Sequence, residues 1–355
     1  MSNRSIALVT PSIEAGGAER VMTQLANYFV QTGLRVYLIL LVRKKHFYTL
    51  DESVKIIEPT YDYKQLSRLK FTFRIFKYLR KHLKDLNPEA VLSFGGRYNS
   101  FVLLASFGLN LPVFISDRSR PSISYGRFLD QLNKIVYKKA RGIIAQTILA
   151  KKVIFKKTNH PNIKVIGNPI RDISEKPMER QNIILNVGRF IASKQQSLLV
   201  DFFYQINPED WQLIFLGDGP ELKKVKDQVE GLQIRDKVVF PGNVRNVDDY
   251  YRQARIFAFT SNSEGFPNAL GEAMKAGLAC VSFNCEAGPD DLIDDGENGI
   301  LVKLGDHQVY IDQLSELISV TDKRRKLGNA AIKKMENFQL EHIGKRYINF
   351  LFENK

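Results

Sequence analysis

The chain carries two glutamates, Glu264 and Glu272, eight positions apart, and two cations, Arg189 and Lys194, five positions apart. A carboxylate pair suggests acid–base work across a glycosidic bond, where such groups stand about 5 to 9.5 Å apart. Eight residues of helix would give roughly 12 Å of rise, so two separate jobs along one elongated ligand fit better. A solvated charge and a helix charge would also satisfy this spacing. One fork-shaped guanidinium and one point-like ammonium near a single strand end suit two phosphates, although a single surface Arg/Lys pair is usually solvated.

The elements that must position these groups are set by the flanking pattern. Ile256-Phe257-Ala258-Phe259 predicts a buried strand. Gly265 and Pro267 break regular structure, so residues 264–267 form a loop. Asn268 can cap a short helix predicted over residues 269–274 and ending near Gly277. Ile183-Ile184-Leu185-Asn186-Val187 predicts another strand, with Gly188-Arg189-Phe190 as its turn. In an open α/β sheet, ligands bind at the carboxyl ends of strands. Further strands are predicted over 5–10, 36–42, 54–57, 90–94, 112–115, 142–145, 163–166, 211–216, 238–240, 279–283 and 300–302. Gly16-Gly17 opens a helix after the first of them, where backbone N–H groups can approach a phosphate or sugar. Gly217-Asp218-Gly219-Pro220 reads as architecture, a tight turn. Residues 306–335 and 338–353 are predicted helical.

The length of 355 residues suits two domains with ample cores. No apolar run approaches the ~20 residues of a membrane span, and the N-terminus reads as a strand rather than a signal peptide. Two cysteines, Cys280 and Cys285, point to a reducing compartment without a disulfide framework. The net charge of +14 is uneven: residues 1–170 carry 28 Lys/Arg and 10 Asp/Glu, whereas residues 171–355 carry 24 and 28. The partner of the basic half is expected to be anionic. Residues 64–86 predict an amphipathic helix with Leu66, Leu69, Phe73, Phe76, Leu79, Leu83 and Leu86 inward. Lys64, Arg68, Lys70, Arg74, Lys77, Arg80, Lys81 and Lys84 fill most other positions. Phe71, Ile75 and Tyr78 stand off that stripe among the cations. This suits an anionic membrane surface, contacted through 64–84, or a packed helix with a solvated basic face.

The run Glu264-Gly265-Phe266-Pro267-Asn268-Ala269-Leu270-Gly271-Glu272-Ala273-Met274-Lys275-Ala276-Gly277 resembles the Glu-x7-Glu motif of retaining GT-B glycosyltransferases, specifically glycosyltransferase family 4. Gly188-Arg189 with Lys194, the Asn168-Pro169 crossing, and Gly288-Pro289 with Gly296-Glu297-Asn298-Gly299 extend the resemblance over nearly the whole chain. It implies an α/β fold of GT-B architecture, two facing Rossmann-like domains with an interdomain cleft. Residues 1–168, with a crossover helix 338–355, would bind acceptor, and residues 169–337 would bind a nucleotide-diphosphate sugar.

The resemblance also implies roles. Arg189 and Lys194 would grip the donor diphosphate beside Gly188, with Gly16 and Gly17 facing it from the first domain. Asn243 and Val244 would lie against the base, and Glu272 would accept hydrogen bonds from the ribose hydroxyls. Glu264, with Gly265, Phe266, Pro267 and Asn268, would address the sugar. Many members place a histidine in the N-domain loops; here Asn99, Asp117 and Arg118 are the polar groups on offer. No Asp-x-Asp triplet occurs, so neither metal nor cofactor is expected. The expected reaction moves a hexose or N-acetylhexosamine, from a UDP-sugar by family frequency, to a lipid-linked or oligosaccharide acceptor. The expected location is cytoplasmic, peripheral on the inner face of the membrane, with no nucleic-acid partner. A nucleotide-sugar 2-epimerase of the same fold is the alternative. A nucleic-acid-binding protein is a further one, which the acidic second half and missing module signatures oppose.

Overall fold

A computed structural model describes residues 4–14, 16–61, 67–173 and 178–352. The chain divides into two compact units, residues 1–169 with 340–355, and residues 170–339. In the first, strands β1 (Ser5–Thr10), β2 (Arg35–Leu40), β3 (Lys55–Ile57), β4 (Ala90–Phe94), β5 (Val113–Ser116), β6 (Gly142–Ala145) and β7 (Ile163–Val165) pair in parallel in the order β3-β2-β1-β4-β5-β6-β7. Helices α1 (Gly17–Gln31), α2 (Arg68–Leu86), α3 (Asn99–Ala105), α4 (Arg127–Val136) and α5 (Ile148–Thr158) make the crossovers. Strands β1 and β4 are buried along their whole length. That burial is why they read as continuous apolar runs rather than alternating ones.

The second unit repeats the plan with β8 (Ile183–Val187), β9 (Gln212–Leu216), β10 (Val238–Gly242), β11 (Ile256–Phe259), β12 (Ala279–Asn284) and β13 (Ile300–Lys303), ordered β10-β9-β8-β11-β12-β13. Its helices are α6 (Gln196–Ile206), α7 (Leu222–Gly231), α8 (Val247–Gln253), α9 (Asn268–Lys275), the short α10 (Pro289–Leu292), α11 (His307–Ser319) and α12 (Thr321–Glu336). The stretch predicted as one helix over 306–335 is thus two, broken at Val320. Each sheet reverses direction of winding at its centre, between β1 and β4 and between β8 and β11. Such switch points open crevices at the strand carboxyl ends. The last helix, α13 (Leu340–Phe352), returns to the first unit. Phe350 stacks edge-on against Phe114 at 5.4 Å. Gly344 lets α13 lie against the Tyr28 ring of α1, where any Cβ would collide.

Helix α2 corrects the predicted stripe. Ile75, Leu79 and Leu83 are buried, whereas Leu69 is 85% and Phe73 61% exposed. Phe71 and Tyr78 pack on the same core as Ile75, and the Tyr78 hydroxyl donates to Ile57 O at 2.9 Å. Two apolar stripes of helical period overlap in this sequence, and periodicity alone does not choose between them; the sheet beneath selects 71, 75, 79 and 83. The apolar groups left outside among the cations are therefore Leu69 and Phe73. Lys64 and Leu66 lie outside the described residues, as does the side chain of Arg68.

Candidate active site

The site in the second unit is built at the switch point. From one side comes the turn after β8, Gly188-Arg189-Phe190, followed by a 3₁₀ turn over Ala192–Lys194. Gln195 leaves that turn with φ of 50°. From the other side comes the chain after β11. Thr260 Oγ donates to Lys194 O at 3.0 Å, and Asn262 N donates to Ser193 O at 2.9 Å. These two bonds fasten the lysine loop to the strand that leads to Glu264. Lys194 Nζ then meets Glu264 Oε1 at 2.6 Å, with side chains only 19% and 10% exposed. The ammonium also lies 5.1 Å from the Phe259 ring centroid. Glu264 is held from behind, its N–H donating to Glu286 O at 3.0 Å.

Beside this pair is a concavity of about 510 Å³, lined among others by Gly188, Arg189, Asp218, Asn243, Val244 and Val247. Arg189 is exposed, and among the described residues its side chain has no ion pair. Gly217 and Gly219, in a turn read mainly as architecture, also line the hollow. A Cβ on Gly217 would fall on the Gly188 carbonyl oxygen, and its φ of +132° already favours glycine. The Gly-x-Gly pattern was the sequence signal for this close approach of two strand ends.

Glu272 sits on α9, 5% exposed. Pro267 occupies the cap position of that helix and Asn268 is its first residue, which corrects the predicted Asn268 cap. Glu272 Oε2 lies 3.4 Å from Arg171 Nε, and Arg171 Nη1 lies 2.5 Å from Asp248 Oδ1 on α8. Burial pulls the Arg171 pKa down, but the charge of Glu272 and the bond to Asp248 outweigh it, and the net shift is upward. Arg171 and Asp248 carried no sequence signal, because the three residues are far apart along the chain. Phe266 is buried against Phe338 at 6.2 Å, leaving the backbone of 265–267 as the part of this loop available to a ligand. A Cβ on Gly288 would strike Pro267, which fixes the loop over the turn before α10. The Cys285 thiol is pushed up to about 12, first by burial and then by the Glu264 charge, a state unsuited to a nucleophile. Ser261 Oγ, buried with no hydrogen-bond partner among the described residues, is a further polar group at this strand end.

In the first unit the predicted residues separate. Gly16 precedes α1 as expected, but its N–H donates to the Tyr48 hydroxyl at 3.2 Å, which in turn donates to Gly16 O at 3.0 Å. Gly17 begins the helix. Asn99 is not an acceptor-side group. It is fully buried, accepts from Ser93 Oγ at 2.9 Å and donates to Ser116 O at 3.1 Å. Arg118 is half-buried; it donates to Tyr347 Oη of α13 at 3.1 Å and to Asn168 Oδ1, and lies 4.4 Å from the Phe94 ring. The burial of Asn99 left no mark in the sequence, because a strand-end loop does not record what packs over it. Asp117 accepts from the Tyr125 hydroxyl at 3.0 Å and Ser119 N at 3.2 Å, and burial raises its pKa against the lowering effect of those bonds.

Two doubly wound parallel units in one chain, the second with a cation-bearing strand end and a glutamate at its switch point, define a GT-B enzyme. Residues 15–172 match the description Glycosyltransferase Family 4, and residues 169–334 match Glycosyl transferases group 1. The chain belongs to family 4 of the glycosyltransferases. It is 24% identical over 356 residues to the amylovoran biosynthesis glycosyltransferase AmsD of Erwinia amylovora, covering 98% of this chain and 99% of that one. It is 25% identical over 363 residues to a Campylobacter jejuni alpha-1,4-N-acetyl-D-galactosaminyltransferase named for a diphospho-undecaprenol glycan, covering 99% of each. The fold superposes on Anabaena HepE, solved in complex with UDP and glucose, with a TM-score of 0.82 at 17% identity over 99% of this chain and 100% of that one.

Proposed function

We propose that the protein transfers a hexose or N-acetylhexosamine, with retention, from a UDP-sugar to a lipid-linked glycan in bacterial surface polysaccharide or glycan assembly. The observation that carries this reading is the Lys194–Glu264 pair at the switch point, beside a hollow whose exposed cation, Arg189, has no ion pair among the described residues. The support from relatives is their printed names: one is a polysaccharide biosynthesis enzyme, one is named for a diphospho-undecaprenol glycan, and one was solved with UDP and glucose.

In this reading the base lies against Asn243 and Val244, the ribose hydroxyls bond to Glu272, and the diphosphate meets Arg189 and Lys194. Charge develops on the departing phosphate as the anomeric C–O bond breaks, and the two preorganised cations stabilise it. The acceptor hydroxyl attacks from the face the nucleotide leaves, and its proton passes to the leaving phosphate oxygen. Glu264, tied to Lys194, hydrogen-bonds the sugar. These cations stand in place of a metal.

The test is a panel of nucleotide sugars incubated with purified protein and assayed for slow donor hydrolysis, then for transfer onto lipid-linked glycans. A UDP-sugar consumed, with its configuration kept in the product by NMR, is expected. No donor consumed, or an inverted product, would overturn the reading. A donor epimerised without acceptor would favour the 2-epimerase. For attachment to the membrane, the exposed face of α2 with Lys70, Phe73, Lys77 and Lys81 is the surface we assign. Among the described residues no helix is long and apolar enough to cross a bilayer.

A further inference from the structure

The three residues that follow the Asn168-Pro169 crossing all close on one helix, α9. A Cβ on Gly271 would lie 2.5 Å from Ile170 Cδ1, so the glycine is what lets the segment come this near. Arg171 Nε lies 3.4 Å from Glu272 Oε2, and Lys275 Nζ lies 3.5 Å from Asp172 Oδ1. Positions 271, 272 and 275 share one face of a helix, so a short stretch of chain fixes how α9 is turned. Glu272 is the carboxylate on that face, and it is buried. A buried charge is costly unless it is paired, and Arg171 supplies a partner.

The guanidinium is itself braced. Nη1 lies 2.5 Å from Asp248 Oδ1, and both side chains are half-buried. The fork spends Nε on α9 and Nη1 on α8, a use of its planar geometry that the point charge of a lysine does not copy. Asp248 follows Val247, which lines the hollow assigned to the base. One side chain therefore joins the wall of that hollow to Glu272. The same two helices have a second tie, Tyr251 Oη donating to Ala269 O at 3.3 Å, so their packing does not depend on the arginine alone. A carboxylate has about four acceptor positions to share, and an ion pair at one oxygen fixes the direction it faces. Held in one direction, it accepts from hydroxyls at a defined place, and a ligand lacking such a hydroxyl leaves a buried acceptor unmet.

We propose that Arg171 is a positioning residue for donor recognition: braced by Asp248, it orients the Glu272 carboxylate toward the ribose hydroxyls and makes the site select a ribonucleotide over its deoxy counterparts. This rests on the proposed donor reading, in which Glu272 meets the ribose. The experiment is titration calorimetry of the full chain with UDP, 2′-deoxy-UDP and 3′-deoxy-UDP, on the wild type, Arg171→Gln and Asp248→Asn, with urea unfolding of each. The wild type should bind UDP about tenfold or more tighter than at least one deoxy analogue, the scale of one charge-assisted hydrogen bond. That ratio should shrink by about threefold or more in Arg171→Gln, as for coupled residues in contact, and by less in Asp248→Asn, which keeps the guanidinium and loses its brace. Adding Arg171→Gln to Glu272→Ala should change the ratio no further, because both act through one carboxylate. In turnover the loss should fall on KM rather than kcat. A purely structural pair would lower the urea midpoint in both variants and leave the ratio alone. An unchanged ratio in Arg171→Gln, a further fall in the double variant, or no discrimination by the wild type would overturn the proposal. Should Arg171→Gln not fold, an unchanged ratio in Asp248→Asn overturns it instead. UDP failing to bind the wild type would overturn the donor reading as well, whereas UDP binding with an unchanged ratio overturns this inference alone.

Discussion

Arg189 and Glu272 differ in what surrounds them, and that difference sets the expected kinetics. Arg189 is solvent-exposed and without an ion pair among the described residues, at the edge of the hollow. Arg189→Ala should cost about 2–4 kcal/mol in kcat/KM, the range for deleting one preorganised donor. Glu272 is buried beside Arg171 and in the proposed role holds ribose in ground and transition states alike. Glu272→Ala should therefore weaken UDP binding more than it slows turnover, whereas Glu264→Ala should lose mainly kcat. Unchanged UDP affinity in Glu272→Ala by calorimetry would remove its assigned role. Arg171 bridges α8 and α9, and Ile170 packs where a Cβ on Gly271 would otherwise sit. Loss of the guanidinium leaves a buried carboxylate short of a partner, so Arg171→Ala should lower stability by about 1–3 kcal/mol in urea unfolding.

At the scale of elements, α2 separates packing from surface. Leu79 is fully buried under the first sheet, and Leu79→Ala should destabilise by about 2–5 kcal/mol. Phe73, on the outer face, should tolerate serine with little change in urea midpoint. The cations beside it tell whether that face meets a membrane. Arg80 is already committed, donating to Ala105 O and Phe107 O at 3.0 and 2.7 Å; Lys84 stands in the last turn, and nearest Phe73 along the helix are Lys70, Arg74, Lys77 and Lys81. Each contributes about 1 kcal/mol near anionic lipid. Co-sedimentation with liposomes should rise with anionic content, fall with salt, and drop when these four become serine or when Phe73 does. Equal recovery in the supernatant under all conditions would make the helix a solvated face.

For the whole molecule, the prediction concerns metal. The chain has no Asp-x-Asp, and in the proposed mechanism Arg189 and Lys194 take the diphosphate charge that a metal would otherwise neutralise. Glycosyl transfer should then persist in EDTA. Activity abolished by the chelator and restored by Mn²⁺ or Mg²⁺ would reverse the assignment. The two-unit plan behind this site, with α13 returned to the first unit, positions Lys194 and Glu264 through a strand order that repeats in both halves.

By itself the sequence determined the alternation of buried strands and helices, because fully covered parallel strands must be apolar throughout. It also determined the glycine turns and the loop that carries Glu264, because these depend on neighbours only a few residues away. Tertiary structure decided what depends on distant partners. Helix α2 could bury either of two overlapping stripes until the sheet selected Ile75 over Phe73. Asn99 became buried between Ser93 and Ser116, and Arg118 became tied to Asn168 and Tyr347, only when the chain closed around them. Arg171 gained its place only when β8 and β11 became neighbours and brought α8 and α9 within reach of one guanidinium. Hydrogen bonds and ion pairs act over a few ångströms of space, and a chain that folds back on itself sets those distances without leaving a spacing in the sequence.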